Sequence, residues 1–98
     1  MDLESAMQSK HAHRRDWHPA DIMAALRKTP REPGSKRGWT LRALSHHHGY
    51  SANAVSEALR RPWPAVERLI ADTLGMEPWD IWPSRYDRSH QPKRGQAA

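Results

Sequence analysis

The stretch LRALSHHHGYSANAVSEALR, Leu41 to Arg60, decides the fold. Thr40 supplies an N-cap hydroxyl for a first short helix that carries Leu41 and Leu44. Gly49 ends it, because glycine takes the positive φ of a tight turn without steric cost. Ser51 is positioned to cap a second helix, Ala52 to Arg60, with Ala52, Val55, Ala58 and Leu59 on one side and Asn53, Ser56, Glu57 and Arg60 on the other. A glycine corner between two short helices, followed at fixed distance by the aliphatic Val55, is the spacing of a helix-turn-helix. Small Ser45 lets the second helix cross close to the first, while Leu44, Tyr50, Val55 and Leu59 fasten both to a core.

Working outward from this hairpin, the upstream segment TPREPGSKRGW holds two prolines, two glycines and three basic residues, and reads as an exposed basic loop. Before it, Pro19 has its φ preset for the first helical position, Asp21 suits the positive end of the helix dipole, and Ile22, Met23 and Leu26 recur at core-facing spacing. That helix should stop at Lys28 or Thr29. Downstream, RPWP breaks the chain at residues 61–64, and Val66, Leu69, Ile70 and Leu74 then mark an apolar stripe closed by Gly75. A last short helix fits between Pro78 and Pro83. No alternating strand of four or more residues occurs. The expectation is an all-α domain of about five short helices, spanning residues 16–86. Residues 1–15 and the basic segment 87–98 read as disordered tails.

Composition sets the outer limits. A chain of 98 residues is one domain at most, and its 16 Lys+Arg against 11 Asp+Glu leave a formal charge of +5. Only +2 of this falls in residues 16–86, so a nucleic-acid reading rests on where the charges cluster. With no cysteine there is neither a disulfide framework nor a thiolate metal site. Five tryptophans and no phenylalanine indicate where a small core concentrates its packing. No apolar run reaches the length of a membrane span or a signal peptide, and the chain reads as soluble and cytoplasmic.

Three segments together carry a resemblance: RDWHPADIMAALRK, GYSANAVSEALRRPWP and EPWDIWPSRY. In this order they resemble the Ner family of Mu-type phages and its bacterial Ner-like relatives, over roughly residues 15 to 86. The resemblance implies a lambda-repressor-like helix-turn-helix and a DNA-binding regulator, with repression of phage early transcription as the expected role. Two positions depart from the family pattern. The loop from Thr29 to Gly38 is longer than the usual connection, and His48 stands where an apolar residue is usual, which points to a looser or pH-sensitive hairpin.

On that reading the second helix enters the major groove, where short polar side chains reach base edges. Ser51, Ala52, Asn53, Ser56 and Glu57 form the base-reading set, Asn53 being matched to adenine and Glu57 to cytosine. Arg42, His46, Arg60 and Arg61 flank the hairpin where phosphates would pass, with Lys36 and Arg37 in the loop as weaker candidates. The plainer account of each is a cap or a solvated face. The expected partner is a double-stranded DNA operator, and a homodimer on DNA is one arrangement the sequence allows, although no segment reads as its interface.

Other functions have less support. His46, His47 and His48 are consecutive on a helix, so their imidazoles point about 100° apart and cannot converge on one metal ion. His11 and His13 lie in the N-terminal tail. No cofactor, small-molecule substrate or membrane partner is expected, nor an enzyme, since no nucleophile and base pair or phosphate loop is evident. Trp63, Trp79 and Trp82 sit beside prolines at helix ends and read as core corners, and Trp17 as a staple of the first helix. The alternative function is a protein-interaction module in which this Trp-rich C-terminal corner docks a transcription partner. Burial of those indoles would count against it.

Overall fold

In the computed structural model, which describes residues 15–93, the chain enters its first helix through His18. The His18 Nδ1 accepts a hydrogen bond from the Ala20 amide at 3.0 Å and so caps α1, Pro19–Lys28. Pro19 occupies the first turn, Asp21 lies at the positive end, and Arg27 and Lys28 lie at the negative end. Ile22 and Leu26, one turn apart, are fully buried.

The basic loop after α1 is fastened to that helix. A Cβ on Gly38 would overlap the Arg27 carbonyl, so only glycine lets the loop backbone lie this close. Trp39 then donates its amide to Leu26 O at 3.0 Å and turns its indole into the core. Arg31 closes the loop from within: its amide bonds Arg37 O, its Nε bonds Gly38 O at 2.7 Å, and its guanidinium lies 5.3 Å from the Trp39 ring centre.

Thr40 caps α2, Leu41–His47, by accepting from the Ala43 amide at 3.0 Å. Gly49 makes the corner at φ +80°. The next helix, α3, spans Ala54–Arg60 and starts two residues later than the Ala52 start expected from sequence. Ala52 and Asn53 instead form a turn, with the Ala54 amide bonded to Ser51 O. The hydroxyl that satisfies a free amide at the start of α3 belongs to Ser45 rather than Ser51: Ser45 Oγ accepts from Val55 N at 3.0 Å and donates to Leu41 O at 2.9 Å.

Helix α4, Pro64–Leu74, begins on a proline and ends at Gly75 in the left-handed region. Helix α5, Pro78–Ile81, and a 3-10 turn, Pro83–Arg85, complete the set. Among the described residues there are five α-helices and no β-strand. They surround one core built from Ile22, Leu26, Trp39, Leu44, Val55, Leu59, Val66, Ile70, Ile81 and Trp82.

The two ends of the domain meet. Trp17 donates its amide to Ile81 O at 2.9 Å, and the Asp16 carboxylate accepts from both the amide and the hydroxyl of Ser84, at 2.9 and 2.6 Å. The DW and IWPS words of the sequence are thus parts of one junction. Residues 87–93, read from sequence as the start of a tail, turn back onto the domain instead. An isolated bridge pairs Tyr86 with Pro92, Asp87 accepts from the amides of Ser89 and Gln91, and the His90 ring stacks on Trp79 at 4.1 Å. The backbone of that turn is held partly by Asp87 and partly by Arg85 O, which accepts from the Lys93 amide at 3.0 Å, and charge-rich composition reveals neither. Residues 1–14 and 94–98, most of the expected tails, lie outside the described residues, as do His11 and His13.

Candidate DNA-binding surface

Helix α3 presents two faces of opposite character. Ala54, Val55, Ala58 and Leu59 are buried, while Asn53, Ser56, Glu57 and Arg60, at i, i+3, i+4 and i+7, line the outer side. Ser51 and Asn53 are exposed, and Ala52, Ser56 and Glu57 are half-buried. The Ser56 hydroxyl donates to Asn53 O at 3.0 Å, which leaves its lone pairs available.

Charge on this face is arranged around Glu57. Its carboxylate pairs with Arg60 at 2.7 Å and with Arg61 at 3.3 Å. Exposed pairs of this kind contribute little to stability and are screened by salt, so a phosphate can draw either arginine away at small cost. A Glu57 that reads a base must give up both partners. Arg42 and His46 are exposed one turn apart on α2, facing outward beside the hairpin. Lys36 and Arg37 are exposed too, but on the loop anchored at α1, a separate element from the hairpin.

The tryptophans turn inward. Trp39 and Trp82 are buried, and Trp17 and Trp63 pack on the core, Trp63 edge-on to Tyr50. Trp79 is half-buried, with Tyr86 at its edge and His90 across its face. This disposition favours the corner reading over a docking surface. His47 packs edge-on against both Trp39 and His48. Among the described residues no group of three or more His, Cys, Asp or Glu could hold a metal, and no helix is long and apolar enough to cross a membrane.

Behind the surface lies a buried polar network that the sequence reading did not single out. Glu67 of α4 is fully buried and accepts from Trp63 N at 2.7 Å, Arg85 Nη1 at 2.9 Å and the Tyr86 hydroxyl at 2.6 Å. Burial first, then the hydrogen bond to Glu67, holds the Tyr86 hydroxyl well above its ordinary pKa. One signal was available: Glu67 stands at i, i+3, i+4 and i+7 with Ile70, Ala71 and Leu74, on the core-facing stripe. Nothing local identified Arg85 and Tyr86 as its partners.

Two short helices around a glycine corner, the second turning a polar stripe outward between exposed arginines, define a helix-turn-helix DNA-binding domain. Comparison with known proteins agrees. Residues 16–96 match the family described as winged helix-turn-helix DNA-binding. The sugar fermentation stimulation protein B of Escherichia coli (strain K12) is 47% identical over 78 residues, covering 80% of this chain and 73% of that protein. The negative regulator of transcription of Escherichia phage D108 is 44% identical over 78 residues, covering 80% of this chain and 96% of that protein. The solution structure of the Mu Ner protein matches with a TM-score of 0.57 and 42% identity, over 74% of this chain and 88% of that one. The chain belongs to the winged helix-turn-helix DNA-binding family, where its similarity to Mu Ner places it with the Ner proteins.

Proposed function

We propose that this chain is a transcriptional repressor that binds a specific double-stranded operator with α3 in the major groove. The observation that carries this reading is the outward stripe of Asn53, Ser56, Glu57 and Arg60 on a helix whose opposite face is wholly buried. Asn53 and Ser56 contact base edges, with Ser51 and Ala52 at the leading turn, while Arg42, His46, Arg60 and Arg61 hold the phosphates on either side. Lys36 and Arg37 add salt-sensitive affinity from the loop.

Repression is favoured by the phage D108 relative, whose name is negative regulator of transcription and of which this chain covers 96%. The expected target is a phage-type early promoter in the cytoplasm. On a palindromic operator two copies would place their α3 helices about one helical turn, roughly 34 Å, apart.

Fluorescence anisotropy tests the reading, with a duplex selected by the protein from a randomised pool against a scrambled duplex of the same composition. Asn53→Ala and Ser56→Ala should each cost about 1–3 kcal/mol on the selected duplex only, whereas Arg60→Ala should weaken both duplexes and lower the salt slope by about one. Equal affinity of the unmodified protein for the two duplexes would overturn it. The length of a nuclease footprint on the selected duplex distinguishes one bound copy from two.

A further inference from the structure

The outer stripe of α3 can read a groove only if the helix holds a fixed tilt against the rest of the domain, and α3 is seven residues long. A helix that short does not hold itself in water. Its N-terminal end is held from α2 by Ser45. Its C-terminal end leaves backbone carbonyls without intrahelical partners. Arg85 takes them: Nη1 donates to Ala58 O at 2.7 Å and Nη2 to Leu59 O at 3.3 Å, while Nη1 also reaches Glu67 Oε2 at 2.9 Å. The guanidinium lies 5.0 Å from the Trp82 ring centre, and Glu67 is itself fixed by the Trp63 amide and the Tyr86 hydroxyl. A planar, rigid fork, buried and positively charged, therefore closes the negative end of α3 and joins it to α4 and to the C-terminal turn.

We infer that Arg85 is a positioning residue for DNA recognition: through the carbonyls of Ala58 and Leu59 it sets the tilt of α3, without touching DNA itself. The inference rests on the reading of α3 as the recognition helix. It makes the segment Trp82–Tyr86 part of the specificity apparatus, although it lies behind the helix and faces the core.

The test uses Arg85→Lys in the full chain. Lysine keeps a positive charge beside Glu67, so the buried carboxylate retains an ionic partner, but an ammonium lacks the fork that spans both carbonyls. Two measurements are made well below the thermal midpoints of both proteins. Amide hydrogen exchange on the free protein should quicken at Ala58–Arg61 while α1 and α4 amides are unchanged. Affinity for the pool-selected duplex should fall about tenfold, with affinity for the scrambled duplex and the salt slope unchanged.

A purely structural role moves exchange everywhere and both duplexes together. Ile22→Ala, which removes core volume on α1, is the control for lost stability. If Arg85→Lys does not fold, the double change Glu67→Gln with Arg85→Met removes both buried charges while the glutamine side chain still hydrogen-bonds the Trp63 amide and the Tyr86 hydroxyl, and the same two measurements apply. Unchanged exchange at the end of α3, or wild-type discrimination between duplexes in a folded variant, overturns the proposal. Faster α3 exchange in a chain that never distinguishes the two duplexes overturns the DNA reading itself, while the clamp on α3 stands.

Discussion

Ser45 of α2 and Val55 of α3 are joined by a buried hydrogen bond, the serine hydroxyl accepting from the valine amide at 3.0 Å. The hydroxyl also donates to Leu41 O, so one small side chain serves both helices of the hairpin. Small size and hydrogen bonding act together here. A longer residue would push the helices apart, and one without the hydroxyl would leave the Val55 amide buried and unsatisfied. Ser45→Ala should therefore cost about 1–3 kcal/mol in urea unfolding. Because the change frees the start of α3, the same variant should also bind a selected duplex more weakly than its stability loss explains, as anisotropy at low temperature would show.

Gly38 is required by close approach to α1 rather than by an unusual φ. Gly38→Ala places a methyl group against the Arg27 backbone, which must move and carry the Trp39–Leu26 hydrogen bond with it. The expected loss is about 1–3 kcal/mol in thermal unfolding. Gly34, in the same loop, has open space around its Cβ position and supplies a comparison in which only backbone strain from its φ of +83° operates.

Glu57 restrains the two arginines at the end of α3. Glu57→Gln should leave stability within about 1 kcal/mol, since exposed pairs contribute little. Affinity for a scrambled duplex should rise by about threefold at low salt, with a steeper salt dependence, because two cations are released toward phosphate and one anion is lost. Anisotropy titrations across a salt series measure both effects.

Tyr86 gives the domain an alkaline limit. Its ordinary pKa is 10.0, and burial with the Glu67 hydrogen bond raises it in the folded state. An unfolded tyrosine loses its proton near pH 10 while the folded one retains it, so the unfolded state binds fewer protons there. The stability from this group is complete below pH 10 and is lost as pH rises above it. Tyr86→Phe should lower stability by about 1–3 kcal/mol near neutral pH and flatten the fall above pH 10, read from urea midpoints across that range.

Local chemistry was enough to place much of this fold. Thr40, Gly49, Pro19, Pro64 and Gly75 act within about one helical turn of their own positions, and each does in the structure what its residue type favours. The polar stripe of α3 follows from helical spacing alone, as does the burial of Ile22, Leu26, Val66 and Ile70. The start of α3 was misplaced by two residues because its cap comes from Ser45, ten positions back, rather than from the adjacent Ser51. The turn at residues 87–93 escaped a compositional reading for a related reason, since its order depends on Trp79 and Arg85 as much as on its own residues.

The amino-acid order alone was sufficient for the element types, the hairpin and the outward stripe of α3, since these depend on φ preferences, caps and periodicity among near neighbours. Met23, by contrast, expected to face the core with Ile22 and Leu26, is exposed. Folding in three dimensions settled which polar groups could be buried. Glu67 and Arg85, both buried, are 18 positions apart, whereas Asp16 and Ser84, 68 apart, pair at the surface. A charge leaves water only where partners converge on it, and that convergence belongs to the packed chain as a whole. The face of α3 was therefore legible in one dimension, whereas the clamps at its two ends existed only once the helices had crossed.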